Sequence, residues 1–221
     1  MFKDKKFRIP RIWSNKILAE ISSLFDGDII NVSGWKDQDK QGNFYKDYFP
    51  NATSYSISNF ISEARGFQGN MENEFYLDLE KPLDKSLKQK YDVVFNHTVL
   101  EHVYEVQKAF QNLCLMSKDI VIVVVPFLQE QHAEYGDYWR FTPLTLKKLF
   151  EQNSKELIYI NYNDVPKQSI YILAIGSSKK NKWESIINKK NNQLHNQKHI
   201  GINHIRNSIL TTLLFKLRLM K

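Results

Sequence analysis

The chain has 221 residues, 42% of them hydrophobic, and a formal net charge of +7. This length suits one domain with an appendage, and the single cysteine, Cys114, excludes an internal disulfide framework and a CxxC metal motif. The charge is uneven, because residues 179–221 contain ten Lys or Arg and only one acid. The first 178 residues are therefore slightly acidic, and the positive charge belongs to the C-terminal segment.

The sequence pattern also bears on location. The basic N-terminal residues are followed by an amphipathic segment, residues 17–25, which contains Glu20, so we expect no secretory signal. No apolar run reaches the ~18 residues that a membrane-spanning helix needs. We therefore expect a cytoplasmic protein.

Helix and strand patterns alternate along the chain. Apolar spacing predicts a helix over residues 13–25, with Ser14 as its N-cap. The β-branched run at 119–125 is typical of a strand buried on both faces of a parallel sheet, and Pro126 is expected to end it. The other predicted elements are strands at 29–32, 53–57, 74–78 and 91–96, helices at 99–116 and 143–150, and strands at 157–162 and 169–175. This alternation predicts an α/β domain with a mainly parallel sheet.

Polar residues follow the predicted strands, whereas the strands themselves are apolar. In doubly wound sheets, ligands bind beyond the carboxyl ends of the strands, near the switch point. The residues at these ends are Ser33 and Gly34, Ser58 and Asn59, Asp78 and Leu79, and Asn96 and His97, from the first four strands in order. We therefore expect one ligand site at this edge of the sheet.

Three motifs occur in order: FYLDLEKPLD, KYDVVFNHTVLEHV, and VPF followed by a histidine and DYWRFTP. Their order and spacing resemble class I S-adenosylmethionine-dependent methyltransferases, most closely the small ones associated with bacterial surface-polysaccharide clusters. The resemblance covers about residues 27–175. It implies a Rossmann-like, seven-stranded, mainly parallel sheet with helices on both faces and the last strand antiparallel. This domain would occupy residues 1–178 and leave 179–221 as a basic C-terminal extension.

The resemblance implies S-adenosylmethionine as the cofactor. Ser33 and Gly34 would face its methionine part, at a turn where the family usually has Gly-x-Gly and this chain has one glycine. A single glycine still allows a close approach between backbone and ligand. Ser58 or Asn59 stands where the family usually has an acid that binds the ribose hydroxyls.

The next two strands would complete the cofactor site. Asp78 matches the family residue that accepts a hydrogen bond from the adenine amino group, with the Leu79 backbone N–H beside it. Asn96 and His97 match positions near the methionine end. Asp78 has a second interpretation from the sequence alone, as a cap of the turn that follows it.

The segment after the fifth strand is predicted to bind the acceptor. His132 is the candidate general base, because an imidazole with an ordinary pKa suits deprotonation of a hydroxyl near neutral pH. Asp137 is expected to orient it or to bind substrate. Arg140 is expected to pair with an acidic group of the acceptor, or else to be an ion-pair partner of Asp137 or Glu134.

The predicted reaction is in-line methyl transfer to an oxygen of a sugar or another small polar acceptor in surface-glycan biosynthesis. Tyr138 and Trp139 are predicted to stack on a sugar face. A noncatalytic binding or scaffold protein of the same fold is the alternative. A nicotinamide oxidoreductase is disfavoured, because GxGxxG and an acid at the second strand end are both missing.

Two further features carry expectations. His97 and His102 flank Glu101, but the pattern is not HExxH, so we predict no metal site. The segment 179–199 has a solvated composition, and residues 205–220 are predicted to form a basic amphipathic helix. This tail is either a solvated extension, a peripheral membrane contact or a partner-binding helix, and its few aromatic residues disfavour nucleic acid.

Overall fold

A computed structural model describes residues 4–60, 66–67, 69, 71–132, 136–163, 165, 168–190, 192–194 and 200–201, with side chains from residue 8 onward. The regular elements are α1 (Asp4–Ser22), β1 (Gly27–Val32), β2 (Ala52–Asn59), β3 (Glu74–Tyr76), β4 (Tyr91–His97), α2 (Val106–Met116), β5 (Ser117–Leu128), α3 (Pro143–Gln152), β6 (Glu156–Tyr162), β7 (Ile170–Ser177) and α4 (Lys180–Ile187). Short 3-10 turns lie at Tyr45–Tyr48, Lys85–Leu87 and Leu100–His102.

The seven strands of this part of the chain form one sheet in the order β3-β2-β1-β4-β5-β7-β6. Strands β1 to β5 pair in parallel, and β7 runs antiparallel to both β5 and β6. The predicted fold class is confirmed, including the antiparallel last strand. The order reverses between β1 and β4, so the carboxyl ends of these strands flank the switch point where doubly wound sheets bind ligands.

Two apolar clusters cover the two faces of the sheet. On one face Phe110 of α2 and Phe150 of α3 meet edge to face at 4.9 Å. On the other, Leu18 of α1 and Trp183 of α4 are buried. Successive β5 side chains alternate between the clusters and are all buried at 120–125, as predicted for a central parallel strand.

Three predicted element boundaries are wrong. Helix α1 begins at Asp4 and contains Pro10, so Ser14 lies inside the helix and is not its N-cap. Strand β5 does not stop at Pro126, because its register shifts just after this residue and bulges are positions where sheets tolerate proline. The helix predicted at 99–116 is a 3-10 turn, Leu100–His102, followed by α2 from Val106.

The region after residue 178 is partly folded onto the domain. Helix α4 packs on the sheet, and Trp183 donates its indole N–H to the Asp119 carboxylate at 2.8 Å. The solvated character predicted for 179–199 is therefore wrong for α4. The helix predicted at 205–220 lies outside the described residues. Among the helices that are described, none is long and apolar enough to cross a membrane.

Candidate functional site

A cavity of about 470 Å³ lies at the carboxyl ends of the parallel strands. Its wall contains six of the eight predicted cofactor residues: Ser33, Gly34, Asn59, Asp78, Leu79 and His97. His132 lines the same cavity from the segment after β5. The structure therefore brings residues from five segments to one hollow.

Four predicted site residues are not in this wall. Ser58 and Asn96 are fully buried, and the Asn96 amide donates to the Val32 carbonyl at 3.0 Å, so this side chain ties β4 to β1. Asp137 and Arg140 lie behind His132 rather than at the cavity surface. These four support the wall from behind.

The turn after β1 forms with a single glycine, Gly34, where the family usually has two. Ser33 takes the left-handed conformation, with φ of 58°, that glycine would adopt at lower strain. Gly34 is needed for space, because a Cβ there would lie 2.5 Å from the Asn31 side-chain nitrogen. The backbone of the turn therefore forms the cavity wall directly.

The long loop after this turn is held by a buried carboxylate. Asp37 is 3% exposed and accepts hydrogen bonds from the Asn31 amide at 2.7 Å, the Tyr55 hydroxyl at 2.7 Å and the Lys46 backbone N–H at 2.9 Å. Burial raises the pKa of Asp37, and the donors from Asn31 and Tyr55 oppose that shift. The network connects the loop to β1 and β2, so the connection between these strands is ordered without an α-helix.

A second acid ties the loop to α1. Asp39 accepts from the Tyr48 hydroxyl at 2.7 Å, from the Asn15 amide at 3.2 Å and from the Asn43 backbone N–H at 2.9 Å. Because Asn15 belongs to α1, the N-terminal helix and the cavity loop form one polar unit. Tyr45 from this loop lines the cavity and stacks near His97, with ring centroids 5.4 Å apart.

Asn59 replaces the acid expected at the end of β2. Its carbonyl accepts from the Trp35 backbone N–H at 2.6 Å, and its NH₂ group donates to the Trp35 carbonyl at 3.0 Å and to the Glu74 carboxylate at 2.6 Å. The amide thus fixes the backbone of Trp35, which lines the cavity. The carboxylate next to Asn59 is that of Glu74, which belongs to β3 rather than to β2.

Asp78, two residues after β3, caps the turn that follows it, which is one of its two interpretations from the sequence. One carboxylate oxygen accepts from the Glu80 backbone N–H at 2.9 Å, and the Asp78 carbonyl accepts from the Lys81 N–H. The residue therefore stabilises the turn while it lines the cavity with Leu79. Since the carboxylate has two oxygens, capping leaves acceptor capacity for a ligand.

His97 ends β4 at the cavity floor. Its Nε2 lies 2.8 Å from the Ser14 hydroxyl, and its Nδ1 lies 3.2 Å from the Thr98 hydroxyl. Burial lowers the pKa of His97 to about 3, and the nearby Arg11 guanidinium lowers it further. The imidazole is therefore neutral at physiological pH, which suits a wall next to a cationic ligand.

The predicted acceptor residues form a chain of contacts. His132 Nδ1 lies 3.3 Å from Asp137 Oδ2, and the Asp137 carboxylate accepts two hydrogen bonds from Arg140, at 2.6 and 2.8 Å. Although burial alone would raise it, the pKa of Asp137 falls to about 2, because Arg140 and the His132 backbone N–H donate to the carboxylate. Asp137 is thus ionised, and it accepts a hydrogen bond from the His132 backbone N–H at 2.8 Å, which holds the backbone of this residue beside the carboxylate.

The Arg140 guanidinium forms all of its hydrogen bonds within the protein. Besides its two bonds to Asp137, the guanidinium donates to the backbone carbonyls of Gln129, Glu130 and Trp139. All five N–H groups of the side chain therefore have acceptors. This geometry favours the ion-pair interpretation of Arg140 over direct binding of an acidic acceptor.

Two neighbouring residues, Glu101 and His102, belong to the same part of the cavity wall. His102 lies in the wall, and the buried Glu101 lies behind it. Glu101 is 1% exposed, and burial raises the pKa of its carboxyl to about 7. His102 lines the cavity, and its Nδ1 lies 2.6 Å from the Gly136 carbonyl. The His102 and His132 rings meet edge to face, with centroids 5.1 Å apart. The metal site considered from the sequence included His97, whereas the structure brings His132 to Glu101 and His102.

Tyr138 and Trp139, which are predicted to stack on a sugar, do not line the cavity, and Trp139 lines a second hollow together with Tyr104. Tyr104 and Tyr138 are 63% and 52% exposed and contact each other edge to face at 5.3 Å. The Trp139 indole N–H donates to the Val103 and Tyr104 carbonyls. Trp139 is therefore held in place while part of its ring faces solvent.

The sequence patterns missed several wall residues. Arg11, Asn31, Gln38, Tyr45 and Phe60 all line the cavity. Arg11 and Asn31 lie inside regular elements, in α1 and β1, so nothing in local sequence marks them. The basic N-terminal run lies near Arg11 in the sequence, but such a run indicates surface charge rather than a cavity residue.

Comparison with known proteins shows the fold at low identity. No family model and no curated relative matches the chain. A Bacillus halodurans protein provisionally named a methyltransferase superposes with a TM-score of 0.57 at 11% identity, over 75% of this chain and 99% of that one. An S-adenosylmethionine-dependent methyltransferase from Clostridium acetobutylicum gives 0.54 at 11% identity, over 80% and 96%.

Magnesium protoporphyrin IX methyltransferase from Synechocystis, with S-adenosylhomocysteine (SAH) bound, gives a TM-score of 0.53 at 12% identity, over 80% of this chain and 87% of that one. Together with the strand order, these similarities show that the chain has the class I S-adenosylmethionine-dependent methyltransferase fold. The substrate is a separate question.

Proposed function

We propose that this protein is an S-adenosylmethionine-dependent methyltransferase that methylates a hydroxyl of a sugar or another small polar acceptor. The observation that carries the proposal is the single cavity at the switch point, which brings Gly34, Asp78, His97 and His132 together. Its volume of about 470 Å³ falls within the range of small-molecule sites. Fold alone does not imply function, so the proposal rests on this site.

The residues fit the two ends of the cofactor. Asp78 supplies a carboxylate for the adenine amino group. The Gly34 turn and His97 lie towards β1 and β4, where the methionine part is expected. A neutral His97 adds no second positive charge beside Arg11, so the imidazole itself does not repel a sulfonium ligand. S-adenosylmethionine supplies the methyl group and leaves as SAH.

On the acceptor side, His132 is placed to take the hydroxyl proton as the acceptor oxygen forms its bond to the methyl carbon. Asp137 orients the ring, and the Arg140 guanidinium holds Asp137 in turn. Positioning supplies most of the acceleration for such a transfer. The preference for a sugar acceptor rests on the exposed rings of Tyr138 and Trp139, which follow Asp137 in the chain but lie outside the cavity wall. We extend the proposal to surface-glycan precursors on the resemblance of the sequence motifs.

Calorimetric titration with SAH tests the proposal. The wild-type protein is expected to bind one SAH per chain, and Asp78→Ala is expected to weaken binding at least about tenfold. Asp84→Ala is the matched control, because Asp84 is an exposed acid in the same connection that caps its own turn outside the cavity. Absence of SAH binding by the wild type, or equal weakening by the two variants, would refute the proposal.

A noncatalytic protein of the same fold is the second candidate. The observation that favours it is the Asn59 amide, whose carbonyl and NH₂ groups already bind Trp35 and Glu74. This arrangement provides no charge-assisted hydrogen bond to ribose from the end of β2. The same titration separates the candidates, because a noncatalytic scaffold does not require SAH.

A further inference from the structure

We propose that Glu101, His102 and His132 form a binding site for one divalent transition-metal ion at the acceptor side of the cavity. One ligand atom from each of the three residues lies within 4.8 Å of the other two. His102 and His132 line the cavity, and Glu101 lies directly behind them. Two imidazoles and a carboxylate are a common ligand set for zinc and for other first-row divalent ions.

The Glu101 carboxylate is the strongest indication. It is 1% exposed, and neither carboxylate oxygen has a hydrogen-bond partner within the described part of the chain. Its Oε1 lies 3.8 Å from His102 Nε2, which is too long for a hydrogen bond. Buried charges are normally paired or coordinate a metal, so a carboxylate in this state calls for a cation.

Both imidazoles are oriented from behind. His102 Nδ1 lies 2.6 Å from the Gly136 carbonyl, and His132 Nδ1 faces Asp137 at 3.3 Å. Metal-binding histidines commonly donate their second ring N–H to a carbonyl or a carboxylate, which fixes the tautomer. His132 Nε2 lies 3.3 Å from the Gln129 side-chain nitrogen, so this contact must break when the metal binds. Asp137 is in turn held by Arg140, so the outer shell extends one residue further.

The distances require a small contraction. Metal–ligand bonds of about 2.0–2.2 Å place tetrahedral ligand atoms about 3.3 Å apart, so the widest gap must close by roughly 1.5 Å. The side chain of His132 lies in a loop segment and is 23% exposed, which leaves room for this movement. Charge limits the affinity, because Arg11 and Arg140 both act on Glu101. We therefore expect micromolar rather than nanomolar binding.

The site assignment does not depend on the proposed activity, but its role does. If the protein methylates a hydroxyl, the metal would bind the acceptor oxygen and lower its pKa, so that the proton passes to solvent. The oxygen then forms its bond to the methyl carbon as the carbon–sulfur bond breaks. His132 serves as a ligand in this state, and the metal replaces it in activating the hydroxyl.

Titration of metal-stripped protein with Co²⁺ tests the site directly. The wild type is expected to bind one equivalent with a visible d–d absorption band and to lose the band when Zn²⁺ is added. Glu101→Gln, which keeps the side-chain shape, and His102→Ala are each expected to weaken Co²⁺ binding at least about tenfold. Circular dichroism and thermal unfolding establish that each variant is folded, and Glu101→Asp serves as a second carboxylate variant with partial binding expected.

Two control variants test whether the bound ion lies at this cluster. His97→Asn changes a cavity histidine outside the cluster and is expected to bind Co²⁺ as the wild type does. A variant with His195, His199 and His204 of the C-terminal segment changed to Asn is also expected to bind normally. The proposal is overturned if the wild type binds no Co²⁺, if folded Glu101→Gln binds as tightly as the wild type, or if the tail variant alone loses the ion. SAH binding in the absence of metal is measured in parallel, so failure of the metal site is distinguishable from failure of the methyltransferase proposal.

Discussion

Two buried carboxylates, one in the loop after β1 and one in the turn after β4, differ in how the protein satisfies them. Asp37, 3% exposed, accepts hydrogen bonds from Asn31, Tyr55 and the Lys46 backbone. Glu101, 1% exposed, accepts none from any residue that the structure describes. Hydrogen bonds offset the desolvation of the Asp37 carboxylate, whereas the nearby charges of Arg11 and Arg140 stabilise the ionised form of Glu101. The loop after β1 is therefore held by a satisfied acid, whereas the segment after β4 contains one without a hydrogen-bond donor among the described residues.

The largest expected effect is on the satisfied acid. Asp37→Ala removes the acceptor of three hydrogen-bond donors, of which the Asn31 amide is buried, and is expected to lower the free energy of unfolding by about 3 kcal/mol. Urea denaturation measures the change. Asp47→Ala is the control, because Asp47 is an exposed acid of the same loop. If both variants lose the same small amount, the Asp37 network does not hold the loop.

The pH dependence of stability isolates His97. Its pKa is about 3 in the folded protein and near 6.5 in an unfolded chain. The unfolded state therefore binds an extra proton between these values, and stability falls as the pH drops below about 6.5, by up to ~1.4 kcal/mol per pH unit. His97→Gln removes this contribution and keeps a hydrogen-bonding group for Ser14.

The measurement compares the wild type with His97→Gln in urea at pH 6.5 and pH 4.5. The wild type is expected to lose roughly 2 kcal/mol more than the variant over this interval. Carboxylates titrate in both proteins and cancel in the difference. Parallel losses in the two proteins would mean that the imidazole titrates normally in the folded state.

A smaller effect on stability is expected from a substitution in the turn after β1. A Cβ at position 34 would lie 2.5 Å from the Asn31 amide nitrogen, which is itself held by Asp37. Gly34→Ala is expected to lower stability by about 1–2 kcal/mol. The double variant with Asn31→Ala should show a coupling energy, because the second change removes the clash. Strictly additive losses would show that the strain lies elsewhere.

The smallest effect is expected at the unsatisfied acid. Glu101→Gln removes a buried charge and keeps the shape, so metal-free protein at pH 8 should change in stability by less than about 1 kcal/mol, in either direction. Asp37→Asn, the equivalent change in the loop after β1, should be clearly destabilising. A loss above ~2 kcal/mol for Glu101→Gln would show that this carboxylate has an unrecognised partner and would weaken the contrast.

Periodic and strongly apolar segments made the fold predictable. The alternation of strands and helices, and the run at 119–125, predicted the α/β class and the mainly parallel sheet, whereas the seven strands and the antiparallel last strand were implied by the family resemblance. Element ends were harder. Ser14 resembles an N-cap locally, yet α1 continues back to Asp4. Helix α4 was missed because the residues around Trp183 are polar and indicate solvent exposure. The helix is held by the buried Trp183 indole, which donates to Asp119.

The site was predictable where strand ends carry polar residues, as at Asp78 and His97. It was not predictable where distant segments meet. Arg11 reaches the cavity only because α1 crosses the end of β4, and Glu101 meets His132 only because the chain returns after β5. Such contacts depend on packing that local sequence does not record. The resemblance supplied the position of Asn59 but not its hydrogen bonds to Trp35.

The central claim is that one cavity at the strand ends binds the adenosyl ligand. Hydrogen–deuterium exchange with and without SAH tests it most directly. The account predicts slower exchange in three separate segments, residues 33–38, 77–80 and 97–103, and no change in α3. Exchange that is identical with and without SAH, or protection confined to segments outside the cavity, would contradict the claim.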